Sequence, residues 1–198
     1  WYRDLDGDDF GDRYSTTAHC DRPDGYVADD NDCDDTALDV NPDADEYCDG
    51  RDNNCDGFTD ESGSSGCSTW YRDYDDDGYG STLGECLCAA SDPYTSLNDD
   101  DCYDTNGSAY PGVTLYFSTS RGDGSYDYNC NGVEEKKDTA VSSGCGFFGD
   151  LCGGSEGFSG SAPSCGNNGT WKHNCHYEWD WFDSGCYFDD TTVRQTCR

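Results

Sequence analysis

Apolar positions are sparse along this chain, and only two stretches arrange them in a way that predicts a regular element. In HYEWDWF (176–182), Tyr177, Trp179 and Trp181 alternate with Glu178 and Asp180, the period of a strand carrying its rings on one face. The segment after Ser184 and Gly185 can return beside it, so the pattern predicts an antiparallel hairpin. VTLYF (113–117) is rich in β-formers and predicts a short strand, inside an insertion near 112–124. The remainder predicts loops.

Composition explains why so little is periodic. There are seven Leu, six Val, no Ile and eight Phe in 198 residues, with a formal net charge of −32. A chain so poor in apolar residues and so charged belongs with disordered sequences unless cross-links or metals order it. Fifteen Cys offer the cross-links and place the chain in an oxidising, secreted or cell-surface setting. Bound cations would relieve the self-repulsion. With 11 Lys plus Arg against 43 Asp plus Glu, no basic footprint for nucleic acid exists. No apolar run is long enough for a membrane span, and no signal peptide is seen. A secreted chain that starts on Trp1 and contains no Met is expected to be a processed or partial form.

The cations have candidate sites. WYRDYDDDGYG, from Trp70, sets Asp73, Asp75 and Asp77 at alternate positions, follows them with Gly78 for a sharp turn, and brings the Tyr79 carbonyl in as position 7. That is the front half of a calcium loop. WYRDLDGDDFG, from Trp1, is its twin, with Asp4, Asp6, Asp8 and Phe10. Here Gly7 comes early and Asp9 stands at the sharp turn, which predicts weaker binding or a shifted register. Neither loop reaches a Glu at position 12, where Ser15 and Gly84 stand. The missing ligands are sought in DDNDCDDT, as Asp32 and Asp35, and in its counterpart NDDDCYDT, as Asp101 and Asp104. Trp1, Cys33 and Pro42 recur as Trp70, Cys102 and Pro111 at one constant offset, so the chain is a duplication. A third loop holds Asp52, Asn54, Asp56, Phe58 and Asp60. Its copy, shifted by the insertion, holds Asp127, Asn129, Asn131, Val133 and Glu135; with two neutral amides it is either the weakest of four sites or a bare turn.

In order, the first copy reads DxDGDxFG, NDCDD and NPxAxExCDGxDNNCDGxxDE. This resembles the MopE-type metal-binding repeat of secreted bacterial surface proteins and, more loosely, the thrombospondin type 3 calcium repeats, over about residues 1–135. The resemblance implies a calcium-laden, disulfide-pinned extracellular module and implies no catalysis.

The duplication also suggests cysteine pairs, since partners should be kept or lost together. Cys33 and Cys55 recur as Cys102 and Cys130, so each of these pairs is expected to be bonded. Cys20 and Cys48 have no counterparts and are expected to bond each other. Cys67 is left to Cys86 or Cys88, and one thiol remains over.

The expected organisation is small, disulfide-rich and loop-dominated, with little regular structure. Calcium-loop repeats at 1–67 and 68–145 precede a small antiparallel β domain at 146–198. In that last domain the rings, Trp179 and Trp181 among them, either form the missing core or stack on glycans. His173 and His176 flank Cys175 as a transition-metal pair or as surface residues. Asn106 and Asn168 lie in glycosylation sequons, and RGD at 121–123 is either an adhesion motif or an ordinary turn. With three His and neither HExxH nor GxSxG, no catalytic constellation stands out. The function expected is an extracellular calcium-binding structural protein, carrying about four Ca2+ ions and self-associating in a surface or fibrous assembly. A carbohydrate-binding or adhesion module is the alternative, and an accessory domain of a secreted enzyme stands behind both.

Overall fold

A computed structural model describes residues 1–148, 151–179 and 184–198. The chain is small, disulfide-rich and loop-dominated, and its regular structure consists of small antiparallel sheets with no helix among the described residues. It divides into two compact units. One comprises Trp1–Asp73 with Gly80–Asp99, the other Tyr74–Tyr79 with Asp100–Arg198.

The duplication is visible in the first unit. Strand β1 (Tyr2–Arg3) lies between β2 (Asp12–Thr16) and β3 (Tyr26–Val27). Strand β4 (Ser68–Arg72) lies in the same way between β5 (Gly84–Leu87) and β6 (Tyr94–Ser96). In both, the Trp-Tyr-Arg segment leads into the middle strand, so the acidic loop that follows leaves a sheet that holds its backbone on both edges.

In the second unit, β7 (Gly146–Phe148) pairs with β8 (Leu151–Gly153). Strand β9 (Gly157–Phe158) adds to a long hairpin of β10 (Asn168–Trp179) and β11 (Ser184–Arg194). Tyr177 pairs with Cys186 across it, so the expected antiparallel hairpin with the segment after Ser184 and Gly185 forms. Phe158 is fully buried edge-on against Trp171, with centroids 5.0 Å apart. VTLYF, by contrast, forms no strand: only Phe117 pairs, with Cys197. Val113 turns inward instead and joins Ala109 and Tyr128 in a small core, and Phe117 stacks on Tyr128 at 3.8 Å, while Leu115 stays exposed. With no neighbouring strand to pair with, β-propensity alone does not make one.

Seven disulfides cross-link the chain, each within one unit: Cys33–Cys55, Cys48–Cys88, Cys67–Cys86, Cys102–Cys130, Cys145–Cys175, Cys152–Cys186 and Cys165–Cys197. The expected Cys20–Cys48 bond is not among them, and Cys20 is free and exposed. Cys48 takes its partner from the second copy, beside the end of β5, where Cys86 also meets Cys67. The rule that partners vanish together fails because this pair joins one copy to the other. Among the described residues, no helix is long and apolar enough to cross a membrane.

Candidate metal centre

All four acidic loops share a backbone device that sequence reading caught only at one position. The residues at positions 4 and 6 have positive φ in each: Gly7 at 88° and Asp9 at 77°, Cys55 at 56° and Gly57 at 94°, Asp76 at 60° and Gly78 at 90°, Cys130 at 55° and Gly132 at 83°. The first two copies exchange glycine and aspartate between these two positions while keeping the conformation. Aspartate tolerates the left-handed region better than most residues. Gly7 in the first loop is therefore no register shift; the expected shift is replaced by a shared turn with Asp9 carrying the second left-handed position. The position 7 amide then donates back to the position 5 side chain in every loop: Phe10 to Asp8 at 2.8 Å, Phe58 to Asp56 at 2.9 Å, Tyr79 to Asp77 at 2.9 Å and Val133 to Asn131 at 2.8 Å.

The first loop gathers its carboxylates. Oxygens of Asp4, Asp6 and Asp8 lie within 4.8 Å of one another, and so do those of Asp6, Asp32 and Asp35. Asp6 is shared by both groups, so five aspartates converge. Asp35 Oδ1 accepts from the Leu5 amide at 2.6 Å, which fixes it against the loop, and Asp32 Oδ1 accepts from the Asp34 amide of its own segment at 2.8 Å. Both oxygens of Asp6, Oδ2 of Asp8 and Oδ2 of Asp32 are buried and have no hydrogen-bond partner. Asp32 is 7% exposed. Burial, with the charges of Asp8, Asp6 and Asp35 adding to it, pushes its carboxyl up to about 6 against the pull of the Asp34 amide. Asp6 is raised as well, by burial first and Asp8 second. Buried, repelling, unsatisfied carboxylate oxygens are costly on their own and are the donor set a hard cation needs.

The second copy repeats the supports. The Tyr74 amide donates to Asp104 Oδ1 at 2.6 Å and the Tyr103 amide to Asp101 Oδ1 at 2.8 Å, matching Leu5 with Asp35 and Asp34 with Asp32. Asp101 and Asp104 are buried, and Asp73, the last residue of its unit before the loop, is 6% exposed. Tyr79 stacks on Tyr110 at 5.5 Å.

Loop three is built differently. Asp52 accepts from the amides of Asp56 and Gly57, and Asp60 accepts from Gly50. Asp52, Asp56 and Asp60 do not draw together as the first loop's carboxylates do, among the described residues. Glu46, which the sequence did not single out, accepts from the amides of Asn53, Asn54 and Asp60 at 2.9, 3.3 and 3.0 Å, and latches this loop. Glu61 Oε1 receives the Asn54 amide while its Oε2 is buried and unpartnered. In loop four Asp127 likewise accepts from Asn131 and Gly132. Asn129 and Asn131 turn their NH2 groups to Glu135, and Arg198 Nε donates to Glu135 Oε2 at 2.7 Å.

Other candidates are engaged elsewhere. Arg121 binds Asp123 through Nε and Nη2, closing the RGD turn on itself. His173 meets Thr191 while His176 meets Asn174, Glu178 and Asp189, and Cys175 is in a disulfide, so no shared metal position forms there. Asn106 donates its side-chain N–H to the Arg121 carbonyl at 2.8 Å, whereas Asn168 is exposed. Trp181 lies outside the described residues, and of Trp179 only its place at the end of β10 is described.

Against known families, a model described as "Putative metal-binding motif" (Cu-binding_MopE) matches residues 32–61 and 101–115. The first match takes in Asp32, Asp35 and all of loop three, and the second takes in Asp101 and Asp104. No curated protein and no solved structure matches the chain. The chain thus carries a metal-binding motif in both copies, on a disulfide-rich scaffold.

Proposed function

We propose that this chain is an extracellular calcium-binding structural module without catalytic activity. The observation that carries the reading is the first loop: four carboxylate oxygens, from Asp6, Asp8 and Asp32, buried together with no donor to meet them. The donors there are carboxylates, which suit hard cations; copper favours imidazole, thiolate or thioether ligands, and none stands among these aspartates. Calcium tolerates the irregular, many-oxygen geometry of such loops, whereas magnesium demands an octahedron and keeps its waters. Bound calcium here would be folding energy, because the unfolded chain has no such cluster.

Thermal unfolding with calcium and with excess EDTA tests this. Chelation is expected to lower the melting temperature by many degrees, and added copper is expected not to restore it. A melting curve indifferent to chelation would remove the reading.

The assembly role rests on Cys20, exposed and outside every disulfide in an otherwise fully paired set. In an oxidising compartment such a thiol is suited to an intermolecular bond. Sedimentation in calcium, with and without reductant, reads it: species heavier than 21.7 kDa that reductant dissolves support self-association. A single monomeric species under both conditions opposes it.

A further inference from the structure

Glu135 occupies the position in loop four that Asp60 holds in loop three, yet its surroundings differ in charge. Arg198 Nε donates to Glu135 Oε2 at 2.7 Å. Nη1 of the same guanidinium reaches the Thr114 carbonyl at 3.4 Å, and its Cζ lies 4.9 Å over the Tyr116 ring. The backbone fixes this placement. Arg198 and Glu135 exchange both main-chain hydrogen bonds, at 2.9 and 3.1 Å. The neighbouring Cys197 is fully buried, exchanges two hydrogen bonds with Phe117, and is bonded to Cys165.

We propose that loop four holds no metal, because the Arg198 guanidinium already serves as a tethered counter-charge for Glu135. The inference rests on reading the four loops as descendants of one cation loop. Two observations support it. First, the loop's neutral amides point their NH2 groups at Glu135, so Asn129, Asn131 and Arg198 all donate to the same carboxylate. A carboxylate already receiving three donors has less to offer a cation. Second, the oxygen this loop leaves buried and unmet belongs to a neutral amide, Asn129 Oδ1, whereas the first loop leaves four carboxylate oxygens unmet. Loop three contrasts too: Arg51, the arginine just before it, pairs with Asp39 and Asp49 on the surface rather than with Asp60. Relative to loop three, putting Asn131 in place of Asp56 and supplying an arginine amount to one change, the exchange of a diffusible cation for a covalent one.

A double-mutant cycle tests this. Wild type, Glu135→Gln, Arg198→Gln and the double variant are melted in excess EDTA, and calcium bound per chain is counted by equilibrium dialysis. The double variant is expected to melt no lower than the less stable single variant, and Glu135→Gln is expected to bind as many ions as wild type. Additive melting shifts, or a count lower by one ion in Glu135→Gln, would overturn the proposal. Should Arg198→Gln fail to fold, the Glu135→Gln count alone still decides. Because the cycle is read without metal, a wild-type chain that binds no calcium would sink the calcium reading while the coupling still judges Arg198.

Discussion

Removing metal at neutral pH leaves Asp6, Asp8, Asp32 and Asp35 charged and facing one another, and that penalty can be read from the pH dependence of stability. The Asp32 carboxyl rises from 3.8 to about 6 on folding. At about 1.4 kcal/mol per pKa unit the ceiling is about 3 kcal/mol, and solvent reaching the loop edge reduces the expected figure to about 2 kcal/mol. A folded pKa above the unfolded one means that the metal-free fold keeps this contribution below pH 3.8 and loses it as pH climbs through about 6. Asp6, also raised, acts in the same direction. Calcium inverts the trend, since it binds the ionised form. Urea unfolding of demetallated protein at pH 4 and pH 7, for wild type and Asp32→Asn, isolates the term. Wild type should lose about 2 kcal/mol more than the variant between the two pH values, and millimolar calcium at pH 7 should restore wild type far more than the variant. If demetallated wild type held its stability from pH 4 to pH 7 as well as Asp32→Asn does, the reasoning about this cluster would be wrong.

Three other outcomes follow from the geometry. Asp9→Gly, at a φ of 77°, should stabilise the calcium-bound protein by about 0.5 kcal/mol, while Gly78→Ala, at 90°, should destabilise it by about 1–2 kcal/mol, both read by thermal melting. Changing Cys48 and Cys88 together to Ser opens a loop with a sequence separation of 40 and should remove about 4 kcal/mol, visible as an earlier calorimetric transition; an unchanged transition would discount the bridge. In a host that modifies Asn-X-Ser/Thr sites, glycopeptide mass spectrometry should find glycan on exposed Asn168 and little on Asn106, whose amide nitrogen is bonded to Arg121; the reverse pattern would show that the Asn106 contact does not persist.

What the sequence revealed, and what it hid, follows from where each signal is local. The acidic loops were legible because alternate aspartates and a glycine lie within a few residues, and the β10–β11 hairpin because period 2 is a local pattern. The left-handed fourth position was not, because cysteine fills it in two loops and nothing in cysteine announces a positive φ. Glu46 was hidden because its three donors come from Asn53, Asn54 and Asp60, farther along the chain; its place just before Cys48-Asp49-Gly50 was the only hint. Arg198 lies 63 residues from Glu135, and no spacing rule joins them. VTLYF misled because propensity was read without asking what it would pair with, and Cys48 because its partner lies in the other copy.

The disulfides and the cation loops are one device rather than two. Cys33 stands next to Asp32 and bonds to Cys55, the left-handed fourth residue of loop three; its amide also donates to Cys55 Sγ at 3.2 Å. Cys102 stands next to Asp101 and bonds to Cys130, the corresponding residue of loop four, with the same amide contact at 3.3 Å. Each bridge thus anchors a buried aspartate of the ligand segment to a turn whose backbone is already fixed. A chain with so few apolar residues cannot hold such carboxylates together by packing, and at −32 their repulsion favours the unfolded state. Cross-linking reduces the entropy lost on bringing them together, so more of the cation's binding energy remains for the fold. In loop four the fixed bridge and turn are retained while the diffusible ion is exchanged for Arg198, itself held beside the Cys165–Cys197 bond. The scaffold is therefore indifferent to whether the positive charge arrives from solution or along the chain, provided that it arrives at a loop the disulfide has already shaped.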